Sequence, residues 1–247
     1  MSQSGQIPKI WELYPDVVRA VKGLREQAGH DAPGHDPDHD LEVGQLGMIV
    51  AWSEDQHAAV IAGVAGLLHS TDRILDIILG LKQETISSVP EDAVSDYVRD
   101  ILVRAELTES DIERVVYAVV HHGSKPNQPS DDLVTIAVAD GDRLANMGAS
   151  LPIRAGQHYG KLRVLNPETF EVDPSDRTPR DKYNNPDSML WEIQNCIDWY
   201  RNQYGPYALR LPRSLEIGKI RAERLERVIR EIKEDRQFVG LHPNYPF

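Results

Sequence analysis

Histidine and aspartate side chains recur at four points along this chain of 247 residues, each beside an apolar segment. Imidazole nitrogens and carboxylate oxygens together form a donor set that suits Zn, Mn, Fe and similar divalent ions. A metal held in this way polarises a phosphoryl oxygen and lowers the pKa of bound water. These residue types predict a divalent metal site, provided that the fold brings the clusters together. The four clusters are His35/His39, His69 with Asp72, His121/His122 and Asp140/Asp142.

His69 ends the most apolar stretch of the chain, an alanine-, valine- and glycine-rich run that begins at Ala58. Small apolar residues on several faces are typical of a helix buried among other helices. Such a helix would hold the His69 imidazole at the end of a rigid element, beside the hydroxyls and carboxylate of Ser70, Thr71 and Asp72. The alternative is a histidine that interacts only with the dipole at the C-terminal end of its helix.

The elements that must position these clusters are predicted to be helices, because apolar residues recur at helical spacing and no strand alternation persists. Residues 160–186 are rich in Pro, Asp and Asn and are predicted to form a long surface excursion. We therefore expect one all-α domain over residues 1–247, with a core at about 10–150 and a C-terminal extension at about 151–247. The predicted helices span about 8–29, 38–50, 55–69, 72–82, 90–106, 108–121, 131–149, 187–204 and 211–233.

Composition narrows the classes of partner. The chain has 39 acidic and 27 basic residues and a formal charge of −12, which disfavours long nucleic acid as a partner. A small phosphorylated substrate remains compatible, because a bound divalent cation reverses the local charge. Cys196 is the single cysteine, and neither a signal peptide nor an apolar run of about 20 residues is present. These features predict a cytoplasmic protein without a membrane partner; both a monomer and a homo-oligomer remain open.

The order of the clusters resembles the HD superfamily of metal-dependent phosphohydrolases, whose pattern is His, then His-Asp, then Asp. The first element is similar to residues 34–43 with His39 at the ligand position, and the second is the buried run that ends at His69. Residues 139–149 are similar to the Asp-Ala-Asp-Arg-Leu-Asp segment of the family, and residues 119–122 to the histidine-bearing helix end that precedes it. The resemblance covers roughly residues 15–235.

The resemblance implies an HD-like helical bundle with an irregular insertion and additional C-terminal helices. It implies that His39, His69 and Asp142 hold a divalent ion, with Mn, Fe, Mg, Co, Ni and Zn all open. The substrate would be a nucleotide or another small phosphoester, hydrolysed by metal-activated water, and His122 or a lid residue would contact the phosphate. Either His121 or His122 could also bind a second metal, and the alternative is that both interact only with the helix dipole. Asp140 is the second choice for the family carboxylate, or an acceptor that orients a ligand histidine.

One departure from the family pattern is important. The family has His-Asp where this chain has His69-Ser70, and that aspartate is a metal ligand in the family. Serine is a neutral, weak ligand, so Asp72 either takes over the missing role or caps the helix that follows. The alternative function is therefore a degenerate HD domain that binds a ligand or partner without hydrolysis. Some superfamily members are mixed-valent iron oxygenases, but these use more histidine and aspartate ligands.

The other polar residues near these clusters are expected to have structural roles. His35 and Asp36 are predicted to order the loop before His39, and Arg143 to form an ion pair. Lys125, Arg154, Lys161 and Arg163 are basic residues expected near the mouth of the pocket, where any of them could neutralise an anionic substrate. Cys196 is predicted to be a buried core residue. Four histidines without a surrounding constellation are predicted to lie on the surface: His30, His57, His158 and His242.

Overall fold

The computed structural model describes residues 7–32, 34–81, 87–122, 126–158, 160–166 and 188–241. Every regular element within these ranges is a helix and none is a strand, which confirms the predicted all-α class. The helices are α1 (Ile10–Leu13), α2 (Pro15–Ala28), α3 (Pro37–Ala51), α4 (Gln56–Leu68), α5 (Thr71–Ile78), α6 (Glu91–Arg104), α7 (Glu109–His121), α8 (Leu133–Asn146), α9 (Leu151–His158), α10 (Met189–Arg201) and α11 (Pro212–Phe238).

Helices α3, α4 and α8 form the centre of the fold and pack against one another at very short range. Glycines make this possible, because a Cβ added at Gly66 would lie 2.7 Å from the Cα of Gly44. A Cβ added at Gly141 would lie 2.8 Å from the amide nitrogen of Gly47. Real Cβ contacts are essentially never that short, so the backbones of the three helices meet directly. This close packing determines where the ends of the three helices lie relative to one another.

We expect Gly66→Ala to lower the free energy of unfolding by about 1–3 kcal/mol, because the new methyl group meets backbone that cannot move aside. Gly23→Ala in α2 is the matched control, since a Cβ there has nothing within 4 Å. Replacing glycine inside an unobstructed helix should stabilise the protein by about 0.5–1 kcal/mol. Urea unfolding followed by circular dichroism measures both; equal effects of the two variants would contradict the packing described here.

The N-terminal ends of several helices are defined by side chains that accept a hydrogen bond from the backbone amide three residues later, as N-caps do. Asp36 caps α3 through the amide of His39, and Asp55 caps α4 through the amide of Ala58. Pro37 occupies the first position of α3, where its missing N–H costs no helical hydrogen bond. The cap and the proline together place His39 on the first turn of α3.

Two parts of the helix prediction were wrong. The helix expected over residues 8–29 is divided at Tyr14, whose φ and ψ are −125° and 61°. Pro15 causes the break, because proline lacks an N–H and disfavours helical backbone in the residue before it. Helix α9 was not predicted, because its eight residues show only two buried apolar positions, Leu151 and Ala155.

The C-terminal helices are connected to the central helices by specific contacts. Arg221 of α11 donates to Glu42 of α3 through Nη1, at 2.9 Å. The hydrophobic core is continuous from α3, α4 and α8 to Ile197 of α10 and Ala222 of α11.

The division into one domain with a core and an extension stays a prediction. Of the predicted surface excursion at 160–186, residues 167–186 lie outside the described ranges.

The expectation that no apolar run reaches the length of a membrane span was wrong, because one stretch of the described chain, Gln56–Ile78, is long and apolar enough by length and composition. It comprises α4 and α5, and 83% of its most apolar window is buried inside the protein. Burial inside the fold accounts for the apolar composition of the stretch. The cytoplasmic location stays a prediction.

Candidate metal centre

The ends of α3 and α4 and the middle of α8 bring three side chains together. His39 lies on the first turn of α3, His69 directly follows the last residue of α4, and Asp142 lies on α8. One ligand atom from each residue lies within 4.8 Å of the other two. These are the three residues predicted as metal ligands, and the direct packing of their helices is the physical reason for their proximity.

The distances in this group suit a shared cation. Nε2 of His39 lies 3.3 Å from Oδ1 of Asp142, and Nε2 of His69 lies 3.9 Å from the same oxygen. The two imidazole rings meet edge to face with centroids 4.9 Å apart. Both histidines are buried, whereas the Asp142 side chain is 18% exposed. The group therefore lies at the end of the core with its carboxylate nearest to solvent.

The protonation state of His69 is determined by its surroundings. Burial lowers the pKa of His69 well below its ordinary value, and the neighbouring His39 acts in the same direction. Nδ1 of the neutral ring donates to the carbonyl oxygen of Gly66, one turn back in α4, at 2.7 Å. The lone pair therefore lies on Nε2, the nitrogen that faces Asp142. A neutral imidazole with Nε2 unprotonated is a form in which histidine binds metal ions.

His39 provides the clearest test of whether the residues fit a cation. Its side chain is almost completely buried, yet neither ring nitrogen has a hydrogen-bond partner of regular geometry among the described residues. Buried polar atoms without partners are costly and rare in native proteins. A cation between His39, His69 and Asp142 would satisfy Nε2, so the donor set fits a divalent ion.

Asp142 is suited to remain charged. Burial would raise its pKa, but the close His39 ring, together with the rings of His69 and His122, outweighs this effect and lowers it. Nδ2 of Asn146, one turn later in α8, donates to Oδ1 of Asp142 at 2.9 Å. Sequence reasoning missed Asn146, although its position four residues after Asp142 would have indicated a shared helix face.

Ser70 and Asp72 occupy different environments after His69. The hydroxyl of Ser70 is buried and lies 3.2 Å from Nε2 of His69, the nitrogen predicted to bind the metal. Asp72 lies in the first turn of α5, where its Oδ1 accepts a hydrogen bond from the amide of Arg73 at 2.7 Å. Burial raises the pKa of Asp72, and the charges of Arg73 and His122 oppose that increase. Asp72 is thus outside the group of three ligand atoms but near His122.

Histidines extend beyond the group in both directions. The ring centroid of His122 lies 5.3 Å from that of His69, and the centroid of His35 lies 5.6 Å from that of His39. His158 of α9 follows, at 6.0 Å from His35. Nδ1 of His122 donates to the carbonyl oxygen of Val119 at 2.8 Å, which leaves Nε2 for another partner. The prediction that His158 has no constellation around it was wrong, because α9 was not anticipated.

Asp140 does not orient a ligand histidine, and that expectation was wrong. Its Oδ2 accepts hydrogen bonds from the backbone amides of Arg210 and Leu211, each at 2.9 Å, and from the hydroxyl of Ser214. Arg143, as predicted, forms a structural ion pair, with Nη1 3.7 Å from Oδ1 of Asp140. Two residues apart on α8, Asp140 and Asp142 point in different directions, and Asp140 attaches the segment before α11 to the core.

The basic residues expected at the pocket mouth differ in how far they are exposed to solvent. Arg154 is buried and donates through Nε to the carbonyl oxygen of Gly34 at 3.0 Å, so it connects α9 to the loop before His39. Lys161 and Arg163 are exposed. Lys125 lies outside the described residues. Cys196 is fully buried in α10, as predicted.

Comparisons with known proteins inform the fold. No family model matches the chain, and no curated protein matches its sequence. The crystal structure of Bacillus subtilis YpgQ in complex with ADP is similar, with a TM-score of 0.56. The match covers 93% of this chain and 99% of that chain at 17% sequence identity. At that identity the likeness shows a shared helical fold, which is compatible with an HD-like domain.

Proposed function

We propose that this protein is a metal-dependent phosphohydrolase of the HD type that acts on a nucleotide or another small phosphoester. The observation that carries the proposal is the meeting of His39, His69 and Asp142 where the tightly packed helices α3, α4 and α8 come together. The similar fold of YpgQ, a protein crystallised with ADP, supports a nucleotide as the class of ligand.

His39 and His69 would hold the metal through Nε2, and Asp142 through its carboxylate. When bound, a divalent cation supplies the positive charge that polarises a phosphoryl oxygen and promotes the ionisation of water. Two nitrogen donors and one oxygen favour Mn, Fe, Co, Ni or Zn over Mg, which prefers oxygen ligands. Three protein ligands leave open positions, as catalytic metal sites require.

His122 would donate a hydrogen bond from Nε2 to a phosphoryl oxygen, because its Nδ1 is already engaged by the carbonyl oxygen of Val119. Asp72 is close enough to interact electrostatically with His122, and in this proposal it orients that ring. Fixed donors directed at a phosphoryl group stabilise the charge that develops during its transfer.

The alternative is an HD-like domain that binds a ligand or partner without hydrolysis. Ser70 is the observation that favours it, since a hydroxyl next to Nε2 of His69 supplies neither the charge nor the affinity of a carboxylate. Under this alternative the natural protein would lack both a stoichiometric metal and turnover.

The test is metal analysis of the purified protein, followed by a phosphohydrolase screen with nucleoside mono-, di- and triphosphates and other small phosphoesters. Each substrate is assayed with Mn, Fe, Mg, Co, Ni and Zn. We expect bound metal and turnover in the natural protein, and a loss of roughly 100-fold in kcat for His122→Ala, the size of a general acid–base or hydrogen-bonding contribution. His121→Ala is the control, because His121 donates to the carbonyl oxygen of Tyr117 and stacks on the Tyr117 ring. Absence of both metal and turnover would contradict the proposal.

A further inference from the structure

Asp40 is a buried carboxylate that the proposed reaction does not use. It follows His39 in α3, and its side chain is only 4% exposed. Its Oδ1 lies 3.5 Å from Nδ1 of His69, the ring nitrogen opposite the one that faces Asp142. Neighbouring helical residues differ by about 100° around the axis, so one turn of α3 places His39 and Asp40 on different sides of His69.

Asp40 is held rigidly by Arg25 of α2. The guanidinium donates to Oδ2 of Asp40 through Nε at 3.2 Å and also through Nη2. Its Nη1 donates to Oδ1 of Asp31 and to the carbonyl oxygen of His35, both at 2.8 Å. A buried, forked arginine–carboxylate pair of this kind has little freedom of orientation.

The Oδ1 atom of Asp40 is available to act on His69. Arg25 engages Oδ2, and Oδ1 accepts no hydrogen bond of regular geometry among the described residues. The Nδ1–H of His69 has its main acceptor in the carbonyl oxygen of Gly66 at 2.7 Å, so the carboxylate provides a second, negatively charged neighbour for the same proton.

We propose that Asp40, fixed by Arg25, is a positioning residue of the metal centre that holds the proton of His69 on Nδ1 and thereby keeps the Nε2 lone pair available for a cation. The inference rests on the proposed metal site. Asp40 is not itself a ligand, since it lies on the far side of the ring. Carboxylates that contact ligand histidines in this way raise the basicity of the ligand, and their loss costs about 10–100-fold in metal affinity.

The test is Asp40→Asn, which keeps the shape of the side chain and removes its charge. We expect the affinity for Zn²⁺ and for Mn²⁺, measured by isothermal titration calorimetry, to fall by about 10–100-fold. Asp31→Asn is the matched control, because Asp31 binds the same guanidinium but its side chain is 46% exposed. The affinity of Asp31→Asn for both metals should remain within about twofold of that of the natural protein, since an exposed ion pair contributes little.

Asp40→Asn leaves Arg25 buried without its charged partner, so Arg25→Gln combined with Asp40→Asn serves as a second variant in which neither charge remains. Circular dichroism establishes that each variant is folded. We expect the double variant to bind metal as weakly as Asp40→Asn, because both lack the charge beside Nδ1.

A second readout is the ¹H–¹⁵N spectrum of the histidine rings in metal-free protein. His69 should be neutral and protonated on Nδ1 in the natural protein and in Asp31→Asn. In Asp40→Asn and in the double variant, the resonance of the Nδ1 proton should shift upfield, and this proton should exchange faster with water. Unchanged metal affinity together with an unchanged His69 spectrum would overturn the proposal. If the natural protein bound no metal, the metal site would be wrong, whereas the spectrum would still decide whether Asp40 controls the ring.

Discussion

Asp142→Asn is expected to abolish stoichiometric binding of divalent metal and, with it, the proposed phosphohydrolase activity. Asp142 supplies the only negative charge in a group whose other members, His39 and His69, are imidazoles. An asparagine keeps the size of the side chain but loses the charge that attracts a cation. Because removing only an outer partner of a ligand costs about 10–100-fold in affinity, removing this ligand charge should cost roughly 100-fold or more.

Asp132→Asn is the control for this experiment. Asp132 caps α8 by accepting from the amide of Thr135, and asparagine caps a helix about as well as aspartate. Ten residues separate it from Asp142, which is about 15 Å along a helix. Calorimetric titration with Mn²⁺ and Zn²⁺ measures affinity, and elemental analysis measures the metal that remains after purification. If Asp142→Asn bound metal like the natural protein, the proposed centre would be wrong.

Ser70→Asp is expected to raise the affinity for divalent metal by at least about tenfold. The Ser70 hydroxyl lies 3.2 Å from Nε2 of His69, so a carboxylate at this position would reach the same cation and add a negative charge. A tenfold change in affinity corresponds to about 1.4 kcal/mol of binding free energy, which is a small contribution for a charged ligand at a partly dehydrated site. Ser70→Asn is the control for size without charge and should change the affinity little.

The same substitution should destabilise the metal-free protein. Burial already raises the pKa of Asp40, an effect that Arg25 and the Ser70 hydroxyl oppose. A second carboxylate next to Asp40 and Asp142 would repel both when no cation is present. We therefore expect a lower Tm for Ser70→Asp without metal and a larger increase in Tm on adding Mn²⁺ than in the natural protein. A Tm that does not respond to metal in either protein would contradict the site.

Ser70→Asp also separates the two candidate functions. If the natural protein binds no metal and only Ser70→Asp does, the chain is a degenerate domain whose site was lost at this position. If the natural protein binds metal and turns over a phosphoester, the three ligands His39, His69 and Asp142 suffice. In that case Ser70 controls how tightly the metal is held.

The helical elements could be predicted from the sequence because their causes are local. Apolar residues at helical spacing, caps such as Asp36 and Asp55, and the apolar run before His69 all act within one or two turns. His39, His69 and Asp142 were predicted as ligands from the resemblance to the HD superfamily, whose order of histidine and aspartate is visible along the chain. The local pattern of apolar residues did not predict α9, because this helix is short and has few apolar positions.

The tertiary structure decided the relations between distant residues. Asp140 and Asp142 have the same chemistry and nearly the same position in the sequence, but helical geometry directs the first to the backbone at Arg210 and Leu211. The partnership of Arg25 with Asp40 depends on how α2, which packs mainly against α4 and α5, places Arg25 beside the start of α3. Nothing in the spacing of those two residues indicates that partnership, or that Asp40 lies behind His69.

The sequence by itself determined the all-α class and the three residue types that can bind a cation, because periodicity and side-chain chemistry are local properties. Only the tertiary structure brought the three together, because their meeting depends on glycines that let α3, α4 and α8 approach at backbone contact. It also assigned Ser70 its place beside Nε2 of His69 and Asp40 its place beside Nδ1. These are distances between separate helices, and packing alone sets them.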